Sequence, residues 1–105
     1  MNGSCLCEGV SFSVQEQPEK VIACYCSHCS KNAGAPGQYL GKYHRDNVKI
    51  ATGEQLLQTF TLNDTSSGSP KHKVFCGKCG CTLWTIPTHH GSAYLMVRTS
   101  LLDRG

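Results

Sequence analysis

The chain has 105 residues, a formal net charge of +3 and eight cysteines. A chain of this length forms one small domain with a modest core, for which a bound metal or a cross-link is a useful addition. Its ten lysines and arginines are scattered without any run of like charges, which argues against a nucleic-acid partner. No apolar stretch approaches the roughly 18 residues of a membrane span. We therefore expect a single domain over residues 1–105 with neither a nucleic-acid nor a membrane partner.

Alternating apolar and polar residues are the main signal of secondary structure. Residues 10–14 and 82–86 alternate as half-buried strands do, and the apolar run 93–97 is typical of a core strand. Further strands are expected at 21–23, 38–43, 48–50, 56–62 and 73–75. The sequence thus predicts a mainly β protein with about seven strands and little helix.

Two segments lack this alternation and are expected to be loops. Residues 30–37 contain small residues, glycines and a proline, which break regular structure and let the backbone approach a ligand, so we predict a functional loop there. Residues 63–70 are polar and rich in Ser, Gly and Pro, which predicts the tip of a hairpin.

Seven of the eight cysteines fall into three close groups. These are Cys5 and Cys7, then Cys24, Cys26 and Cys29, then Cys76 and Cys79. Thiolates at such spacings can bind one centre from a tight turn, and Zn²⁺ takes three or four of them. Such close neighbours are poor partners for separate disulfides, and residues 1–4 reach the first pair without the apolar segment of a signal peptide. We therefore expect zinc in a cytoplasmic, intracellular protein, in preference to disulfides or a labile redox cluster.

The number of ligands in each group suggests how the groups combine. The triplet can occupy three corners of one tetrahedron, whereas each pair supplies two. The favoured arrangement joins the two pairs in a four-cysteine site and leaves the triplet as a three-cysteine site. The rival is a zinc ribbon formed by the Cys26/Cys29 and Cys76/Cys79 pairs, which would leave three cysteines without a site.

The order of the motifs resembles that of a known family. The motifs are Gly3 to Cys7, the C-x-C-x-x-C of residues 24–29, Lys-Asn-Ala-Gly-Ala-Pro at 31–36, Gly53-Glu54, Phe-Cys-Gly-Lys-Cys-Gly at 75–80 and Thr-Ser-Leu-Leu-Asp at 99–103. Together they resemble the glutathione-dependent formaldehyde-activating enzyme family, which also contains centromere protein V. The resemblance covers essentially the whole chain. It implies a β-tent fold stapled by zinc, with a structural zinc on Cys5, Cys7, Cys76 and Cys79 and a second zinc on Cys24, Cys26 and Cys29.

Three thiolates leave one position on zinc open, where a thiol can enter and lose its proton, and a zinc-bound sulfur can attack an electrophilic carbon. The resemblance implies the matching reaction, in which glutathione and formaldehyde form S-(hydroxymethyl)glutathione, a carbon–sulfur lyase reaction in reverse. Cys24, Cys26 and Cys29 would then be the ligands of the reactive zinc. A non-catalytic zinc-stabilised interaction module, or a glutathione or aldehyde carrier, is the alternative.

The remaining candidate residues are expected to have structural roles. We predict a solvent-facing position for His28, with donation to a thiolate as the alternative. We predict an exposed turn at His89 and His90, with a fourth ligand of zinc as the alternative. Cys81 is expected to be a buried or free thiol. The core is expected to include Trp84 and Tyr94, and scattered surface charges are expected at Lys31, Lys42, Arg45 and Arg98.

Overall fold

The structure, a computed structural model, describes residues 1–64, 68–88 and 92–103. Nine strands and one helix are found in these residues: β1 (Asn2–Ser4), β2 (Ser11–Val14), β3 (Lys20–Cys24), α1 (Ser27–Ala33), β4 (Gln38–His44), β5 (Val48–Thr52), β6 (Leu57–Leu62), β7 (Lys71–Cys76), β8 (Thr82–Pro87) and β9 (Tyr94–Arg98). Short 3-10 turns lie at Arg45–Asn47, Glu54–Leu56 and Thr99–Leu101. The predicted mainly β class is confirmed.

The helix α1 occupies part of the segment predicted to be a loop. Cys26 is its N-cap, and the sulfur of Cys26 accepts a hydrogen bond from the backbone N–H of Cys29 at 3.4 Å. The helix ends at Gly34, whose φ of 67° is left-handed and whose N–H donates to the carbonyl of Ser30. The prediction of a loop over 30–37 is therefore wrong up to Ala33, and the loop begins only after the helix. In the described residues no helix has the length and apolar character needed to cross a membrane.

The strands form two antiparallel sheets. The smaller sheet has the order β1-β2-β5, and the larger has the order β3-β4-β9-β8-β7-β6. The strands β6 and β7 pair from Leu57 opposite Cys76 to Leu62 opposite Lys71. The predicted hairpin over 63–70 is confirmed by this pairing, although its residues 65–67 lie outside the described part of the chain.

The core lies between the small sheet and one face of the large sheet. The small sheet contributes Phe12 and Val14, and the large sheet contributes Tyr43, Trp84 and Val97. The rings of Phe12 and Trp84 meet edge to face with centroids 5.4 Å apart. The prediction that Trp84 belongs to the core is confirmed.

The opposite face of the large sheet takes no part in this core, and we call it the open face. Because side chains alternate along a strand, the residues two places apart share this face. The registers place on it Lys20, Ile22, Cys24, Gln38, Leu40, Lys42, Tyr94, Met96, Arg98, Thr85, Pro87, Lys71 and Lys73. The helix α1 lies at the end of the open face where β4 begins.

We expect the Phe12–Trp84 contact to account for much of the stability of the core. Phe12 is 1% exposed, so Phe12→Ala should lower the free energy of unfolding by about 3–5 kcal/mol in urea denaturation. The matched variant Phe60→Ala removes a ring that is 57% exposed and should cost less than about 1 kcal/mol. Equal losses in the two variants would show that the core does not lie between the sheets as described.

Candidate metal centres

The structure brings together the four cysteines of the two pairs. The sulfurs of Cys5, Cys7, Cys76 and Cys79 all lie within 4.8 Å of one another. The Cys5 and Cys7 sulfurs are 3.5 Å apart, and those of Cys7 and Cys76 are 3.8 Å apart. A tetrahedron with zinc–sulfur bonds of 2.3 Å has edges of about 3.8 Å, so the donor set fits zinc. The grouping agrees with the favoured pairing and differs from the zinc ribbon.

Tight turns aim these sulfurs at one point. After β1, Glu8 adopts a left-handed φ of 60°, which turns the chain back. The backbone N–H groups of Gly9 and Val10 then donate to the sulfurs of Cys7 and Cys5, each at 3.4 Å. The turn after β7 repeats this pattern at the sulfur of Cys76. Such N–H···S bonds stabilise thiolates and are what a metal-binding turn provides.

The triplet forms a second cluster at the junction of β3 and α1. The sulfurs of Cys24, Cys26 and Cys29 lie within 4.8 Å of one another, and those of Cys24 and Cys26 are 3.5 Å apart. Cys29 is 5% exposed, whereas Cys26 is exposed. No fourth His, Cys, Asp or Glu of the described residues joins the cluster. The predicted exposed turn at His89 and His90 lies outside the described residues.

Burial and the crowding of the sulfurs separate the pKa values of Cys26 and Cys29. Burial raises the pKa of Cys26, but the N–H of Cys29 and the neighbouring sulfurs lower it to about 7. Burial and the sulfur of Cys24 raise the pKa of Cys29 to about 12, although Gln38 lowers it in part. One thiol thus ionises easily and makes ionisation of its neighbour harder. A divalent cation among the sulfurs would stabilise all three thiolates together.

The four-cysteine cluster shows the same separation. Burial raises the pKa of Cys79, but backbone N–H groups and adjacent sulfurs lower it to about 6. The N–H of Gly9 lowers the pKa of Cys7, yet burial and the other three sulfurs raise it to about 11. Both clusters therefore have the chemistry of sites built for a cation, and zinc fits both.

A chain of hydrogen bonds supports Cys29 from behind. Gln38 is buried, and its Oε1 accepts from Arg98 Nε at 3.2 Å and Nη2 at 3.1 Å, so its amide group is free to donate to the Cys29 sulfur. Arg98 Nη2 also donates to the carbonyl of Asn32, whose Oδ1 accepts from Thr82 Oγ1 at 2.8 Å. These bonds connect α1 to β4, β8 and β9 and fix the third ligand.

Two of these supporting residues differ from what the sequence predicted. Gln38 was not among the predicted site residues, and its one signal is its place in the strand that directly follows the triplet and the loop. Arg98 was expected to be a surface charge, which is wrong, because its guanidinium is partly buried and burial lowers its pKa.

Two other residues also differ from their predicted places. His28 is not solvent-facing: its side chain is 21% exposed, and its Nε2 lies 3.1 Å from Asp64 Oδ1. Tyr94 lies on the open face instead of in the core, with Lys42 Nζ 4.3 Å from its ring centroid. Cys81 is a partly buried free thiol as predicted, and all eight cysteines are free of disulfides.

The comparisons with known proteins agree with this geometry. A family model described as "Glutathione-dependent formaldehyde-activating enzyme" matches residues 1–105. The chain belongs to the glutathione-dependent formaldehyde-activating enzyme family.

Two known proteins are similar to the chain, one in sequence and one in fold. A Halomonas elongata protein named "Putative glutathione-dependent formaldehyde-activating enzyme" is 29% identical over 87 residues, which are 82% of this chain and 55% of the relative. The chain thus spans about half the length of that relative. A crystal structure of a Rhodobacter sphaeroides protein superposes with a TM-score of 0.77 at 16% identity, over 100% of this chain and 90% of the other. This chain and the Rhodobacter sphaeroides protein therefore share the same fold, the β-tent.

If the four-cysteine cluster holds a structural zinc, its loss should unfold the domain. Cys76 is fully buried, so Cys76→Ser should lower the melting temperature by at least roughly 15 °C and remove zinc, because about 1 kcal/mol corresponds to 4–8 °C at this chain length. Cys26→Ser at the exposed corner of the triplet should remove one zinc and shift melting by less than about 5 °C. Elemental analysis and calorimetry measure both. Equal melting shifts would contradict the two roles.

If Gln38 supports Cys29, its amide should affect metal affinity without being a ligand. We expect Gln38→Leu to weaken zinc binding at the triplet by about 10–100-fold, because the donor to a ligating sulfur is lost. Competition with a chromophoric chelator measures this affinity. The same titration of the Cys26→Ser variant identifies which zinc-binding step belongs to the triplet. Gln15→Leu, at an exposed position after β2, is the matched control and should change nothing. An unchanged affinity in Gln38→Leu would remove Gln38 from the site.

Proposed function

We propose that the chain is a zinc-dependent enzyme of the carbon–sulfur lyase type that adds a thiol to an aldehyde at the Cys24/Cys26/Cys29 cluster. The carrying observation is that three sulfurs converge with no fourth ligand from the described residues, beside an open groove. Family membership supports the same reaction class. The proposed reaction resembles that of S-(hydroxymethyl)glutathione synthase, with glutathione as the thiol and formaldehyde or a small aldehyde as its partner.

The two clusters have different parts in this proposal. Cys5, Cys7, Cys76 and Cys79 hold a structural zinc, since four sulfurs complete a tetrahedron and two of them are buried. Cys24, Cys26 and Cys29 hold the second zinc. When bound there, zinc supplies an open position that favours the deprotonated form of an entering thiol. The chain itself orients the ligands through Gln38 and the cap of α1.

A groove of about 210 Å³ beside the triplet suits the thiol substrate. Lys31, Lys71 and Lys73 line it, whereas none of its described lining residues is acidic. Glutathione carries two carboxylates, and ammonium groups at the walls would attract and position them. His28, held by Asp64, stands at the same groove beside Cys29.

A non-catalytic interaction module or a glutathione or aldehyde carrier is the second candidate. One observation favours it. Val21 and Tyr39, which are 58% and 61% exposed, lie on the side of β3 and β4 away from the open face, and Tyr25, which is 66% exposed, contacts Tyr39. Exposed apolar side chains of this size are common at binding surfaces. In this reading the triplet zinc would stabilise the surface instead of reacting.

We further propose that residues 1–105 act as one zinc-binding domain and that the protein is located in the cytoplasm. A cytoplasmic location is supported by eight cysteines that are all free of disulfides, since disulfides are rare in reducing compartments.

The test must separate catalysis from the reaction that occurs without an enzyme. Exchange NMR with ¹³C-formaldehyde and glutathione at equilibrium measures how often the adduct forms and breaks. We expect the zinc-loaded protein to raise this rate at least about tenfold, within the range of positioned acid–base and metal catalysis. Cys26→Ser should return it to the uncatalysed value.

Cys81→Ser is the matched control, because Cys81 belongs to neither cluster and should leave the exchange rate unchanged. A wild-type protein with two zincs per chain and no acceleration would reject the enzyme and favour the interaction module.

A further inference from the structure

A second groove, on the open face, runs from the triplet toward the far ends of β3 and β4. It encloses about 290 Å³ and shares Cys29, Lys71 and Thr85 with the thiol groove. Cys24 stands at one end of it, and Lys20 stands four residues away along β3, which is roughly 13 Å of strand. The two grooves therefore meet at the triplet and extend from it in different directions.

The floor of this second groove is apolar. Ile22 and Leu40 are cross-strand partners, and Met96 lies next to them on β9. Pro87 and the ring of Tyr94 complete the walls. None of these side chains belongs to the core between the sheets. Formaldehyde has one carbon and glutathione has a polar peptide body, so neither uses such a floor.

The far end of the groove is positively charged. Lys20 and Lys42 are cross-strand partners, and like charges in that arrangement repel one another. Lys42 is held in place: its side chain is only 17% exposed, with its Nζ over the Tyr94 ring and 3.6 Å from Glu19 Oε1. Glu19 offsets one of the two charges from outside, and no acidic residue is among the described lining of the groove. An anion bound between the two lysines would relieve the repulsion.

We propose that the carbonyl substrate is a medium-chain aldehyde with a carboxylate at its other end. This rests on the proposed function. Its apolar body lies on Ile22, Leu40 and Met96, its carboxylate meets Lys20 and Lys42, and its aldehyde carbon reaches the triplet. The thiol sulfur bonds to the aldehyde carbon, the carbonyl π pair moves to oxygen, and the thiol proton ends on that oxygen. The step is an addition that consumes no oxidant or reductant.

Binding is tested without the reaction, by NMR titration of the zinc-loaded protein with three probes. Octanoate has both the chain and the charge, acetate has the charge, and 1-octanol has the chain. We expect octanoate to bind at least tenfold more tightly than either of the others, with shifts at the amides of β3, β4 and β9. Equal affinity of octanoate and acetate, or of octanoate and octanol, would overturn the proposal.

Variants identify the two ends of the site. Lys42→Gln should weaken the binding of octanoate at least fivefold and leave the binding of octanol unchanged. Lys20→Gln should have the same effect, and because Lys20 is exposed this variant carries little risk to folding. Ile22→Gln should weaken both octanoate and octanol. Lys49→Gln, exposed on the small sheet, is the matched control and should change neither. Octanoate binding that is indifferent to both groove lysines would place the ligand elsewhere.

Exchange NMR with 8-oxooctanoate separates this proposal from the function on which it rests. We expect a larger acceleration for 8-oxooctanoate than for formaldehyde, and Lys42→Gln should reduce it for the longer aldehyde alone. Acceleration with formaldehyde but no binding of octanoate would refute the groove and leave the function intact. Tight octanoate binding without acceleration of any aldehyde would refute the function and leave an apolar carboxylate as the occupant of the groove.

Discussion

Repulsion among closely packed thiolates is the constraint on which the two sites depend. Each cluster places its sulfurs within 4.8 Å of one another, and in each cluster the pKa of one thiol is lowered while the pKa of another is raised. A bound cation removes this conflict. The four-cysteine cluster also joins positions 69 residues apart in the chain, Cys7 and Cys76, so folding and metal binding there are one problem.

The large sheet serves two purposes because its two faces carry different side chains. One face packs Tyr43, Trp84 and Val97 against the small sheet. The other carries a cationic and apolar surface that ends at the triplet. Stability and ligand binding are therefore assigned to alternate residues of the same strands, so that changes at Lys42 or Ile22 leave the core untouched. A substitution at a neighbouring position, such as Tyr43, would instead change the packing of the core directly.

The sequence predicted the parts of the structure that depend on local pattern. Cysteine spacing indicated both clusters, and alternation located most strands, because both signals are contained in a few neighbouring residues. The helix α1 was missed since its cap is the sulfur of Cys26, and cysteine is not a usual N-cap. Gln38 and Arg98 were missed because their roles depend on strand register, which brings residues 60 positions apart into contact. The open face was missed for the same reason.

The two clusters also differ in how firmly the surrounding chain holds them. The four-cysteine cluster adjoins the core through Cys5 and Cys76, whereas the triplet begins on β3, which is an edge strand paired with β4 alone in its sheet. An edge strand and a seven-residue helix open at lower free energy than central strands do, and amide hydrogen exchange is fastest in such parts. The proposed reactive centre thus lies in the part of the fold that can rearrange its ligands by local opening, while the core and the first cluster remain closed.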